Sequence, residues 1–154
     1  MGTIIIAETT GSDLHPVTAQ LVTVTYDPEG NVSNDVAIIC PGGVGASAAA
    51  KIAGVSKVIS VEGDCFSSFD GAAWAAAMSG LTSDGRVILA ATPRGRELAA
   101  HIATSRNIPV IQDVTGGSYR LIMYRPVYSG KAIERSKFSD CFLALFVKND
   151  VFFD

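Results

Sequence analysis

Hydrophobic and polar positions fall into two regimes along this chain, and the change comes at Pro109. Before it, short apolar runs of strand length alternate with Ala-rich amphipathic stretches, which is how βα units read. After it the helical period disappears. Three β-rich segments follow, at Val110 to Thr115, Arg120 to Tyr128 and Cys141 to Val147. A sheet whose chain ends in consecutive strands with no helix between them is expected to carry antiparallel pairing at that end. Those strands either close the domain or meet a partner.

The first regime predicts four strands and four helices. Strands are expected at Thr3 to Glu8, Asp35 to Cys40, Lys57 to Val61 and Arg86 to Ala91. The first helix opens at Leu14-His15-Pro16, with Pro16 suited to a first turn, and runs to Tyr26. Its Val22-Thr23-Val24-Thr25 stretch alternates and is β-branched, which locally also fits a strand. Asp27-Pro28-Glu29-Gly30-Asn31 is a turn cluster. The second helix spans Gly45 to Ala53 and is stopped by Gly54. An Ala-rich helix from Phe69 to Ser79 takes its bulk from Trp74. Thr92-Pro93 is an N-cap and first-turn pair for the last helix, which runs to Ser105. With right-handed crossovers these elements form an α/β domain of three layers, α/β/α, on a mostly parallel sheet with antiparallel strands at the C-terminal end.

Composition narrows the partners. At 154 residues with no linker or repeat, the chain reads as one domain over 1–154. Hydrophobic residues make up 48% and charged residues 18%, a surplus that doubly covered strands or an exposed apolar patch would absorb. A net charge of −3 and the lack of a Lys/Arg run argue against nucleic acid. No apolar stretch is long enough to span a bilayer, and the N-terminus lacks a basic region before a signal sequence. Cys40, Cys65 and Cys141 are odd in number and widely spaced, which fits reduced thiols in a cytoplasmic protein.

Three constellations are candidates for chemistry. In Pro41-Gly42-Gly43-Val44-Gly45-Ala46-Ser47-Ala48, Gly43 and Gly45 fit a loose dinucleotide fingerprint, with Glu62 ending the next strand. The same glycines serve equally to shape a strand-to-helix turn and let helix and sheet approach closely. The second is Thr92-Pro93-Arg94-Gly95-Arg96-Glu97, at a strand's C-terminal end, where open α/β sheets bind ligands. Arg94 and Arg96 oppose the helix dipole, so either an anion relieves them or they form a solvated pair with Glu97 nearby. The third is Tyr124-Arg125-Pro126-Val127-Tyr128-Ser129-Gly130-Lys131. Pro126 suggests an edge strand or bulge and Ser129-Gly130 a turn, as a partner surface or a self-contained cap. No catalytic set is evident: His15 precedes a proline and His101 falls within a helix, neither beside a nucleophile.

Several of these stretches also carry a family likeness. The order Asp113-Val114-Thr115, a strand, Arg125-Pro126-Val127-Tyr128-Ser129-Gly130-Lys131-Ala132 and a last apolar strand resembles the N-terminal domain of electron transfer flavoprotein α-subunits. Ala48 to Val58, the opening Ile6-Ala7-Glu8 and Leu14-His15-Pro16 agree in the same order, so the resemblance spans nearly the whole chain. It implies the adenine nucleotide α-hydrolase-like α/β/α fold. It also implies an interaction surface at Arg125, Tyr128 and Gly130, with Lys131 standing where the family has Asn. The family's α-subunits continue into a C-terminal domain that supplies most of the flavin site. The expectation is therefore a platform in flavin-dependent electron transfer and no enzyme. It would hold no cofactor by itself and would meet FAD only through a separate chain. The partner implied is an electron transfer flavoprotein β-like subunit or, in its absence, a second copy. The alternative is a small nucleotide- or anion-binding module using Gly43, Gly45, Thr92, Arg94, Gly95 and Arg96.

Overall fold

The computed structural model describes residues 2–25, 35–118, 122–138 and 143–146. The turn expected at 27–31, Cys141 and the ends of two expected strands lie outside these residues. In chain order the elements are β1 (Thr3–Ile6), β2 (Thr9–Thr10), β3 (Asp13–Leu14), α1 (Val17–Thr23), β4 (Val36–Pro41), α2 (Ala46–Ala49) and β5 (Lys57–Val61). A 3-10 turn (Asp64–Ser67) follows, then α3 (Gly71–Ala77), β6 (Arg86–Ala90), α4 (Pro93–Arg106) and β7 (Val110–Val114). The last strands are β8 (Gly116–Ser118), β9 (Ile122–Val127), β10 (Ala132–Lys137) and β11 (Leu143–Phe146).

Six strands form the central sheet in the order β5-β4-β1-β6-β11-β7, and every neighbouring pair in it is parallel. Successive residues of its central strands face opposite sides. Ile5, Ile38, Cys40, Ile88 and Ala90 are buried on one side with Val17 and Leu21 of α1 and Ala49 of α2. Ile6, Ile39, Val87 and Leu89 are buried on the other with Ala75 of α3 and Leu98, Ala99 and Ile102 of α4. The three expected layers are present.

Of the three strands expected after Pro109, the middle one, β9, pairs antiparallel in a separate sheet ordered β10-β9-β8, while β7 and β11 join the central sheet in parallel. The separate sheet lies on the α1 side, where Met123 of β9 joins Ile111, Val114 and Ala144 in the core. The final strand then returns to the central sheet and inserts between β6 and β7, parallel to both. A parallel neighbour must enter from the same edge, so the chain needs a crossover between β7 and β11. Here an antiparallel sheet supplies the crossover that helices supply elsewhere, and this was not visible in the pattern of apolar runs.

Local differences have local causes. The ambiguous segment near Val22 is helical because Val17, Thr18, Leu21 and Val22 share one buried face. Of the helix expected over Gly45 to Ala53 only Ala46–Ala49 is α-helical. Beyond it Lys51 and Ile52 donate to carbonyls three residues back, and Gly54 turns the chain at φ +87°. The small β2–β3 hairpin, β8 and all of β10 are additional; β10, with its Glu, Arg, Ser and Lys, carries no apolar alternation to announce it.

Candidate functional site

Strands β1, β4 and β6 all end on one edge of the sheet, and the expected site residues collect there in two separate groups. The Gly42–Gly45 loop follows β4. Gly43, at φ +72°, leaves no room for a side chain, since a Cβ would come 2.8 Å from Ser60 Oγ. Gly45, at φ +75°, is closed in the same way by Leu14 of the β2–β3 hairpin, again at 2.8 Å. The loop also uses its own N–H groups: Gly42 donates to Val61 O, Gly43 to Cys40 O and Val44 to Pro41 O. Turn shape and close packing thus account for both glycines.

The second group lies across β1 and β6. Thr92 caps α4, its Oγ1 accepting from Gly95 N at 3.0 Å while donating to Glu8 Oε2 at 2.7 Å. Gly95 is buried because the first turn of α4 presses on the end of β6; a Cβ there would sit 2.0 Å from Ala90 O. The two arginines part company. Arg96 reaches the end of β7, where it pairs with Asp113 and donates to Gln112 Oε1. Both members of that pair are about half exposed, so it contributes little stability, within about 1 kcal/mol. Arg94 instead extends over the ring of Phe69, 5.4 Å from its centroid, within cation–π range.

Between these residues lies a small cleft of about 20 Å³. That is room for about one water molecule, far below the ~300–1,000 Å³ typical of small-molecule pockets. Its walls are Phe69 and Trp74 on one side and Leu89 and Leu98 below, with Glu8 and Arg94 as polar groups. The aromatic wall is rigid. Trp74 Nε1 donates to Cys65 O and Ser68 O, and both Phe66 and Phe69 meet its ring edge to face. Glu8, Phe69 and Trp74 were not among the sequence candidates. A carboxylate closing the first strand was the one available sign for Glu8; the aromatics come together only through the packing of α3 on α4.

The third constellation is a hairpin tip. Arg125 Nε and Glu134 Oε2 stand 2.7 Å apart across β9 and β10. The hydrogen bond from Arg125, with a second from Ser136, holds the Glu134 carboxyl below the usual glutamate range. Beyond this pair Tyr128, Ser129 and Gly130 all take positive φ, at 52°, 57° and 82°. Tyr128 is 81% exposed and Ile133 is 70% exposed, the two large apolar residues left open among the described residues. Pro126 lies in β9 beyond the residues that pair with β8, so its strand neighbour is β10 alone, in keeping with the expected edge position.

Other groups have structural settings. His15 Nδ1 accepts from Val17 N at the start of α1, and His101 is exposed on α4. Burial pushes the Cys40 thiol upward, as suits an inert core residue. Among the described residues no group of three His, Cys, Asp or Glu side chains could hold a metal ion. No helix among them is long and apolar enough to cross a membrane.

Fold and site together define a three-layer α/β domain with a parallel central sheet, a small cleft at its C-terminal edge and an exposed antiparallel hairpin. A family model for the electron transfer flavoprotein domain matches residues 3–152, nearly the whole sequence. The chain belongs to the electron transfer flavoprotein domain family, and is thereby related to proteins of electron transfer. Comparison with curated proteins gives no match.

Proposed function

We propose that the chain is a relative of electron transfer flavoprotein α-subunits that acts as an assembly platform in flavin-dependent electron transfer, contributing surfaces and no catalysis. In this reading it works in the cytoplasm, and a partner chain holds the FAD. It pairs with a β-like subunit or with a second copy of itself. The observation that carries the reading is the β9–β10 hairpin of a family member, which presents Tyr128 and Ile133 to solvent. Large aromatic and apolar groups so placed are the residue types that anchor interfaces. The test is capture of native partners on the tagged chain, with an absorbance spectrum of both the complex and the isolated chain. Flavin absorption confined to the complex is expected. Stoichiometric flavin retained by the isolated chain would overturn the proposal.

A second reading, a small anion- or nucleotide-binding module, is favoured by Arg94, which makes no ion pair among the described residues and stands at the cleft mouth. Calorimetric titration with AMP, ATP, NAD and FAD separates the two. Tight binding lost in Arg94→Gln supports the module; no binding leaves the platform.

A further inference from the structure

At the other edge of the central sheet, where β6 and β7 begin, the turn leading out of α3 and the end of α4 border a solvent-open hollow. Its volume is about 470 Å³, within the ~300–1,000 Å³ typical of small-molecule pockets. Ser79, Thr82, Ser83 and Asp84 line it from the turn, and Ser105, Arg106 and Ile108 from α4 and the residues after it. We propose that this hollow binds a zwitterionic small molecule of the α-amino acid class, its carboxylate received by Arg106 and its ammonium by Asp84. The proposal goes beyond the platform reading and does not depend on it.

An unsatisfied cation is the first observation. Arg106 Nη2 donates to Gly85 O at 3.0 Å, while Nη1 is buried and has no acceptor. Arg106 takes part in neither described ion pair, Arg96 with Asp113 or Arg125 with Glu134. A buried donor on a charged group is costly to leave unmatched, and such groups normally have a partner. A carboxylate suits it best, since a guanidinium can hold both oxygens at once. The occupant must shift the adjoining turn slightly to reach Nη1. Ser83 and Asp84 are exposed there and have little packing to resist it.

An unmatched carboxylate is the second. Asp84 Oδ1 accepts from Gly85 N at 2.7 Å, and Oδ2 has no partner among the described residues. Asp84 and Arg106 line one hollow yet form no ion pair with each other. Opposite charges that border one space without closing on each other suit an occupant that carries both.

The remaining polar groups decide against a simple anion. α4 ends at Arg106, and the unsatisfied carbonyls of a helix C-terminus carry partial negative charge. Thr82 Oγ1 donates to Met78 O at 3.1 Å and Ser105 Oγ to Ile102 O at 2.8 Å. A hydroxyl has one proton, so these two retain only lone pairs for an occupant. Acceptors near Asp84 favour an ammonium, whereas a phosphate dianion would meet like charge. Ile108 supplies an aliphatic wall for the occupant's side chain.

Amide NMR on the full chain tests this, by titration with a mixture of the common L-amino acids and then with the strongest binder alone. Saturable shifts centred on Gly85, Ser105 and Arg106 are expected. The matching acid without its amino group, and the matching amine without its carboxylate, should each bind roughly tenfold more weakly or worse, having lost one charge-assisted contact. Arg106→Gln and Asp84→Asn should weaken binding by a similar factor. Circular dichroism checks that both are folded, and Asp84→Asn, in an exposed turn, carries the test alone if Arg106→Gln is not. No saturable shift with the mixture would overturn the proposal. Binding that persists in the folded variants would overturn it too. Inorganic phosphate or the acid alone binding as tightly as the amino acid would make this a site for simple anions and equally end it. None of these outcomes touches the platform reading, which stands or falls on capture of the flavoprotein.

Discussion

Thr92 Oγ1 donates to Glu8 Oε2 at 2.7 Å across the ends of β6 and β1, while accepting from Gly95 N at 3.0 Å. One hydroxyl therefore caps the longest described helix and fixes the only acidic wall of the cleft. Thr92→Ala removes both bonds and is expected to cost about 1 kcal/mol of stability, within the ~0.5–2 kcal/mol range for lost caps. Thr92→Ser should recover most of it. Urea denaturation of the two variants provides the comparison, and equal losses would show that the methyl group, not the hydroxyl, matters.

Gly95 is expected to be the least replaceable glycine among those with an ordinary φ. A Cβ there would come 2.0 Å from the backbone oxygen of Ala90, so α4 must move off β6 to admit it. Gly95→Ala should destabilise by roughly 1–3 kcal/mol or more, as overpacking does. Gly80→Ala, with nothing within 4 Å of the new carbon, should be neutral or gain up to about 1 kcal/mol through a stiffer unfolded chain. Thermal melts of the pair check the contrast.

The Arg125–Glu134 pair gives the hairpin a pH dependence. The Glu134 carboxyl is held down first by its hydrogen bond from Arg125. Its contribution is therefore present above the ordinary glutamate range and is lost as pH falls through the lowered folded value. An NMR titration of Glu134 should show a depressed midpoint that moves back up in Arg125→Gln. An unchanged midpoint in that variant would remove Arg125 as the cause.

Trp74 should anchor the wall of the cleft. Its Nε1 donates to two carbonyls, Cys65 O at 3.0 Å and Ser68 O at 3.1 Å. Trp74→Phe keeps an aromatic wall but loses both bonds, at an expected cost of about 0.5–1.5 kcal/mol, since water can reach the Ser68 carbonyl. As the single tryptophan of the chain, it should also report unfolding through its emission. Urea denaturation followed by circular dichroism in the wild type and Trp74→Phe measures the cost; equal stability would show that neither bond contributes.

Much of the architecture was written in local patterning. Apolar runs at Thr3, Asp35, Lys57 and Arg86 became parallel strands because segments that apolar suit only a sheet covered on both faces. Thr92-Pro93 announced the start of α4 because capping and first-turn preferences act within one turn. The likeness around Arg125 to Ala132 pointed to the family to which the chain belongs. Tertiary structure decided what depends on residues far apart. It inserted β11 beside β6 and made a hairpin sheet the crossover, because register and handedness are settled by the whole sheet. It separated Arg94 from Arg96, giving one to Phe69 and the other to Asp113, since neighbours on a helix diverge by about 100° per residue. It also built the cleft from Glu8, Phe69, Trp74 and Arg94, which lie on different elements and meet only when α3 and α4 close over the ends of β1 and β6.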